Sequence, residues 1–286
     1  MDADEVIDFY NSGIEKGQLH ANIGLIEFAR TKEILIDLLP PPPAVIYDIG
    51  GGYGEYAWYL ASLGYRVHLF DLAEANIRMT EDLSALYPGV TLEEKTVADA
   101  RSIVRPDASA DAVLLMGPLY HVADAKERKK TLQESLRLLK PGGRIFAAAI
   151  TRFATTLWAM SVYGETKTGG EKNDLLHEPA FVEMIEREIC DGQHIRPENS
   201  AYHGMTRSFF HHPDELEKEI TSAGFINIDL RGVVGCGWIA PDLDDAWKDP
   251  VRREAILHVV RLLEKEKSLM GFSTHLLAIA KKGTFT

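Results

Sequence analysis

The sequence predicts an α/β protein built on a doubly wound, mostly parallel sheet, and three observations carry that prediction. The first is Ala44-Val45-Ile46-Tyr47-Asp48-Ile49, a short apolar run holding one acid, followed by four glycines in the next five positions, Gly50, Gly51, Gly52 and Gly54. An apolar run bounded by turn formers reads as a buried strand. Glycines directly after it let the backbone turn tightly and approach a ligand, and the helix that follows aims its free N–H groups at the same point. The second is Tyr65-Arg66-Val67-His68-Leu69-Phe70, another strand, closed by Asp71. The third is Asp111-Ala112-Val113-Leu114-Leu115-Met116, almost wholly apolar, as a central parallel strand covered on both faces should be.

The remaining elements follow in chain order. Residues 4–39 read as helical, with Leu25, Phe28, Ala29, Leu35 and Leu39 at spacings of three and four, until Pro40–Pro43 stop the helix. This segment either packs on the sheet or forms a lid carrying Tyr10 and Arg30. A helix over 56–63 ends at Gly64. A further helix over 73–86 precedes a third strand at 90–97, which runs into Ala98-Asp99-Ala100. The fourth strand leads into Gly117-Pro118-Leu119-Tyr120-His121. An amphipathic helix over 124–140 carries Leu132, Leu136 and Leu139 inward and ends at Lys140-Pro141-Gly142-Gly143, a basic residue and then breakers. The fifth strand is 144–150.

The alternation then breaks. Residues 151–210 are too long for a plain connection and read as a mostly helical insertion over the pocket, containing Trp158, His194 and Tyr202. His211-His212-Pro213 leads into a helix over 214–223, then a strand at 225–231, a glycine-rich loop with Trp238, a helix holding Ile256, Val259, Val260, Leu262 and Leu263, and a last strand within 271–280. The units are thus a helical lid (1–43), a ligand-binding core (44–150), a cap (151–210) and a C-terminal completion of the core (211–286).

Composition sets limits. The chain has 286 residues, 45% hydrophobic, and a net charge of −12, which disfavours a nucleic-acid partner. No apolar run reaches the roughly 18 residues of a membrane span. The start, Met1-Asp2-Ala3-Asp4-Glu5, lacks a signal peptide's basic and apolar regions, and Cys190 and Cys236 stand far apart, so a cytoplasmic protein with reduced thiols is expected. A homodimer is compatible with this composition. His211-His212 has no third ligand at metal spacing, and 116–122 hold no carboxylate, so no metal is expected.

The glycine spacing is Asp48-x-Gly50-x-Gly52-x-Gly54. A dinucleotide fingerprint needs G-x-G-x-x-G, and its third glycine would fall on Glu55, whose carboxylate would oppose a pyrophosphate. Asp48 would likewise repel a diphosphate but suits a ligand with an ammonium group. Asp71, 23 residues beyond Asp48, is placed for ribose hydroxyls, or simply to cap the next helix. Asp48-x-Gly-x-Gly-x-Gly after the first strand resembles the first motif of the class I S-adenosylmethionine (SAM) dependent methyltransferases. The stretch Gly117–His121 is similar to one found in a subset that acts on small molecules.

That resemblance implies a Rossmann-like sheet of seven strands whose last pair forms an antiparallel edge. It implies that Gly50, Gly51, Gly52, Tyr53 and Gly54 border the methionine part of SAM, with Asp48 at its amino end. Asp71 and Leu72 would hold the ribose, Ala98, Asp99 and Ala100 the adenine, and Met116, Gly117 and Tyr120 the region of the reactive methyl. His121 and Tyr120 would face the acceptor, His121 either as a general base or fixing its loop. Arg152, Tyr202, His211, His212 and Trp238 are candidates for contacting a small, aromatic or natural-product acceptor through O, N or C. Two other readings stay open, a SAM-binding module without catalysis and a nicotinamide-dependent oxidoreductase.

Overall fold

The structure, a computed structural model, describes residues 17–166, 172–202, 204–205 and 207–284. Strands β1 (Val45–Ile49), β2 (Arg66–Asp71), β3 (Glu94–Val97), β4 (Ala110–Leu115), β5 (Leu139–Ile150), β8 (Phe225–Gly232) and β9 (His275–Lys282) form one seven-stranded sheet. Their order is β3-β2-β1-β4-β5-β9-β8. The β1–β2, β1–β4, β2–β3 and β4–β5 pairs are parallel, and β9 runs antiparallel to both neighbours. The last strand is therefore inserted between the fifth and the sixth, as the resemblance implied. The chain steps outward from β1 to β3, then returns to β4 on the other side of β1. Where strand order reverses in this way, a crevice opens beyond the carboxyl ends of β1 and β4.

Each face of the sheet is covered. On one face, α1 (Ile23–Leu38) and α2 (Glu55–Ser62) bury Ile34, Leu35, Ala57 and Leu60 against Ile46, Val67, Leu114 and Phe146. On the other, α5 (Ala125–Leu138) and α8 (Pro213–Ser222) bury Leu132, Leu216 and Ile220 against Val113, Leu115 and Ile145. Between α2 and α5 come α3 (Glu74–Ser84) and the single turn α4 (Pro118–His121). After the 232–241 loop, α9 (Leu243–Lys248) and α10 (Pro250–Leu263) pack on α1 through Ile26, Leu257 and Val260.

Several boundaries differ from the sequence reading. The first helix is not continuous from residue 4. A short 3₁₀ turn, Gln18–His20, is followed by Asn22 at φ 51°, and only then does α1 begin. Residues 1–16, Tyr10 among them, lie outside the described residues. The third strand is confined to 94–97, because the Pro88-Gly89 turn delays it. The cap is also less helical than expected. Helices α6 (Ala154–Ser161) and α7 (Pro179–Asp191) are followed by a two-stranded antiparallel ribbon, β6 (Gln193–Ile195) with β7 (Arg207–Phe209). Among the described residues no helix is long and apolar enough to cross a membrane.

Candidate cofactor and acceptor site

A cavity of about 1490 Å³ occupies the crevice at the switch point. Gly50, Gly51, Gly52, Tyr53, Asp71, Leu72, Ala98, Asp99, Ala100, Met116, Gly117, Tyr120, His121 and Trp238 all line it, so five segments far apart in sequence meet there.

The glycine turn is tightly built. The N–H groups of Gly50 and Gly51 donate to the Phe70 carbonyl at 2.7 and 3.3 Å, pinning the turn to β2. Gly50 has φ 67°, and a Cβ there would come within 2.5 Å of the Pro118 ring. At Gly51 a Cβ would meet the Asp48 carboxyl carbon at 2.6 Å. Gly50→Ala is therefore expected to lower ligand affinity at least tenfold and to cost about 1–3 kcal/mol of stability from the strained φ and the Pro118 clash. Calorimetric titration together with urea unfolding checks both. An alanine variant that binds as tightly as the parent would show that the turn has room to spare.

Two carboxylates flank the turn. Asp71 Oδ2 accepts from Gly52 N at 2.8 Å, while Oδ1 accepts from Ala73 N at 2.9 Å and Asn76 Nδ2 at 3.0 Å. Burial raises its pKa, and those three donors oppose the rise. Asp71 thus shapes the βα turn and lines the cavity, while the helix after it, whose N-cap is Ala73, has no side-chain cap. Asp48 does not reach the cavity wall. Its side chain lies fully buried beneath Gly51, and neither oxygen has a hydrogen-bond partner among the described residues. Burial, reinforced by the nearby Asp71, pushes its pKa to about 7. The expectation of direct contact at the ligand's amino end is corrected: the turn stands between them. Gly54 likewise packs inward, against Leu69 and Thr80.

Glu55 opens α2, where a phosphate would otherwise sit. Its Oε1 accepts from the Tyr53 hydroxyl at 3.1 Å and pairs with His20 Nε2 at 2.7 Å. Gly17 N donates to the same Tyr53 hydroxyl at 3.1 Å, which draws residues 17–20 across the turn. On the far side, Asp99 is held by Arg101, whose Nε lies 2.9 Å from Oδ1, and Arg101 also bonds Glu127 at 2.9 Å. Those bonds keep the Asp99 carboxyl below its ordinary range. In α4 the Tyr120 hydroxyl donates to the Met116 carbonyl at 2.9 Å. The surrounding protein pushes the His121 pKa down to about 3, so its imidazole is neutral and weakly basic at physiological pH.

Five sequence candidates are spent elsewhere. Arg30 is buried and faces away from the cavity, bonded to Glu264 at 2.6 and 2.9 Å and to Glu33 at 2.8 Å. Arg152 binds both oxygens of Glu215 at 2.6 Å and the Cys190 carbonyl at 3.0 Å, tying β5 to α7 and α8. Tyr202 packs against Phe181 and Trp158 within the cap, with burial raising its pKa. His211 is fully buried with Nε2 at 3.2 Å from Glu219, while its neighbour His212 caps α8 through Nδ1. None of these five side chains lines the cavity, since each was drawn into an ion pair, a cap or an aromatic cluster that spacing alone does not reveal. Conversely Glu27, Trp158 and His275 do line it, and nothing in the sequence marked Glu27 or His275 as neighbours. Among the described residues, no group of three or more His, Cys, Asp or Glu is placed to hold a metal ion.

The family model described as a methyltransferase domain matches residues 47–147, which span the glycine turn, Asp71 and the 117–121 loop. The chain is 30% identical over 189 residues to a ubiquinone biosynthesis O-methyltransferase of Chelativorans sp., an alignment covering 66% of this chain and 61% of that protein. It is 25% identical over 207 residues to a ubiquinone/menaquinone biosynthesis C-methyltransferase of Acidiphilium cryptum, covering 71% and 75%. The chain thus spans less than two thirds of the first relative's length. Solved SAM-dependent methyltransferases of Methanosarcina mazei (TM-score 0.56, 21% identity, 87% and 97% covered) and Mesorhizobium loti (TM-score 0.55, 16% identity, 90% and 100% covered) share the fold. SAM is the cofactor named for those solved neighbours. The site fits it: the turn leaves no space for a Cβ at Gly50 or Gly51, and the first turn of α2 presents Glu55 where a dinucleotide would need its phosphate-binding donors.

Proposed function

We propose that the chain transfers the SAM methyl group to a small-molecule acceptor by in-line displacement at the sulfonium. The observation that carries this is the meeting, at one cavity, of the Gly50–Gly52 turn, the Asp71 carboxylate and the 117–121 loop. In this reading the turn borders the methionine part of SAM, and Asp71 and Leu72 hold the ribose. Ala98, Asp99 and Ala100 border the adenine, and Met116, Gly117 and Tyr120 surround the methyl. The protein then supplies position and a dry chamber, which are the main terms in a displacement whose leaving group is already activated. His121 helps to shape the chamber and stays neutral. The relatives' names point to oxygen or carbon acceptors in ring compounds, and Trp158 and Trp238, which both line the cavity, offer indole surface that suits a flat ring. No nucleic-acid partner is proposed, since the net charge of −12 disfavours one.

The test is calorimetric titration with SAM, S-adenosylhomocysteine and NADH. Tight binding of both adenosyl ligands and none of NADH is expected. Asp71→Ala should cost about 1.5–3 kcal/mol of SAM affinity through lost charge-assisted bonds, and Asp71→Asn less, because its amide keeps part of the turn. A folded protein that binds neither adenosyl ligand would overturn this function. Binding without turnover on any acceptor would favour the non-catalytic SAM-binding alternative.

A further inference from the structure

We propose that His275 and Glu27 are the proton-accepting pair for the methyl acceptor, and that this acceptor is an uncharged hydroxyl compound of the phenol type. This rests on the methyl-transfer reading of the same cavity. His275 is the first residue of β9 and pairs across the sheet with Ile150, the last residue of β5. The antiparallel strand therefore begins where the parallel strands end, which delivers a histidine to the ligand-binding edge. Glu27 reaches the same wall from α1, with Oε2 3.6 Å from His275 Nδ1, and each side chain is 19% exposed.

The two ring nitrogens have different surroundings. Nδ1 faces Glu27 and, at 3.3 Å, the Thr274 hydroxyl. Nε2 has no hydrogen-bond partner among the described residues. The Glu27 carboxylate is beyond hydrogen-bond reach, but its charge favours a proton on Nδ1, which the Thr274 hydroxyl oxygen can accept, and that tautomer presents Nε2 as the acceptor. Other titratable groups on this wall are Tyr56 from α2 and Tyr120 and His121 from α4, while β5 presents Ile150 and the 232–241 loop presents Trp238. The Tyr56 phenol is held well above its ordinary value by burial and then by Glu27, with Tyr120 and Asp48 adding smaller effects, so it remains a neutral neighbour.

Charge selects the acceptor. Arg101 is the sole Arg or Lys among the described lining residues, and its guanidinium is already engaged by Asp99 and Glu127. Glu165, Asp242, Asp244 and Asp245 add negative charge to the rim. A carboxylate or phosphate on the acceptor would find no unengaged cation there. In the step itself, the acceptor O–H gives its proton to His275 Nε2 as the oxygen attacks the SAM methyl carbon. The O–C bond forms, and the C–S bond breaks with its electron pair going to sulfur. S-adenosylhomocysteine leaves as a neutral thioether. Glu27 balances the imidazolium until the proton passes to solvent.

The experiment measures transfer of labelled methyl from SAM to catechol, phenol, 4-nitrophenol, benzylamine and benzoate, with SAM affinity measured alongside. Methylation of the uncharged hydroxyl compounds is expected. His275→Gln should lower kcat for phenol or catechol about 10²–10⁴-fold and remove the ascending limb of the pH profile, with SAM affinity unchanged. Glu27→Gln should lower kcat about tenfold, because it removes the orienting charge and leaves the base. The loss in His275→Gln should shrink for 4-nitrophenol at alkaline pH, where the acceptor is already ionised. A His275→Gln rate within about threefold of the parent, or an equal loss for ionised and un-ionised phenols, would overturn the pair's role. Methylation confined to benzylamine or benzoate, or no methylation of any hydroxyl compound by a SAM-binding protein, would overturn the acceptor class. Failure of the parent protein to bind SAM is a separate result that removes the underlying methyl-transfer reading.

Discussion

Replacing Asp48 by asparagine is expected to stabilise the ligand-free protein at about pH 8 and to leave it nearly unchanged near pH 4. Asp48 is fully buried under Gly51, its oxygens lack hydrogen bonds among the described residues, and its pKa is raised from 3.8 to about 7 by burial and then by Asp71. The sign follows from proton counting. Between these two values the folded protein keeps a proton that the unfolded chain has lost, so stability falls as pH rises through that window. At about 1.4 kcal/mol per unit, the full penalty is about 4–5 kcal/mol and is constant above about pH 8. Asparagine does not titrate and escapes it, less the cost of burying an amide with few partners. Urea unfolding of both proteins across this pH range measures the difference. A gap that does not widen with pH would mean that Asp48 is solvated or paired. The same charge explains the acid's usefulness. A bound sulfonium and ammonium on the other side of the thin glycine turn would favour the ionised form. SAM binding near pH 7 is therefore expected to release protons in the parent and none in Asp48→Asn, which titration in buffers of different ionisation enthalpy detects.

Arg128→Ala carries the other large effect, a loss of about 3–5 kcal/mol, because it leaves buried partners uncompensated. The Arg128 guanidinium lies under the 121–124 loop, only 2% exposed. It donates to Glu219 Oε1 at 2.6 Å, to the Val122 and Ala123 carbonyls at 3.2 and 2.8 Å, and stacks 3.6 Å from the Phe209 ring centroid. One side chain thus joins α5, α8, the cap ribbon and the loop that carries His121. Burial alone would push the Glu219 pKa up, but His211 and Arg128 hold it at about 2. A depressed carboxyl contributes stability at neutral pH that is lost as pH falls from about 4.5 towards 2. The penalty of Arg128→Ala should therefore shrink over that acid range. Arg128→Lys should recover only part of the loss, since an ammonium cannot reproduce the fork. Methyl transfer should fall more than SAM affinity, because the loop borders the acceptor side while the glycine turn is untouched. Equal loss of both would indicate general unfolding rather than displacement of the loop.

The parallel core was legible in sequence because the signals that define it are local. Val45–Ile49, Arg66–Asp71 and Ala110–Leu115 are apolar runs with turn formers beside them, and the glycine turn follows its strand directly. Asp71 could be placed in the site because a βαβ unit fixes the distance from one strand end to the next. Tertiary structure decided the long-range pairings. Arg30 was plausible on a lid until Glu264, 234 residues away, took its guanidinium. Arg152 and His211 looked available until α8 brought Glu215 and Glu219 to them. Glu27 and His275 had no signal at all, since a glutamate on a helix and a histidine opening a strand are ordinary until the inserted antiparallel β9 brings them within 3.6 Å. Periodicity and turn chemistry report only what a residue's near neighbours dictate, so the sequence by itself determined the strands, the turn and the ligand class. Which charges are paired and which still face the cavity depends on segments far apart in the chain, and only their packing could decide that.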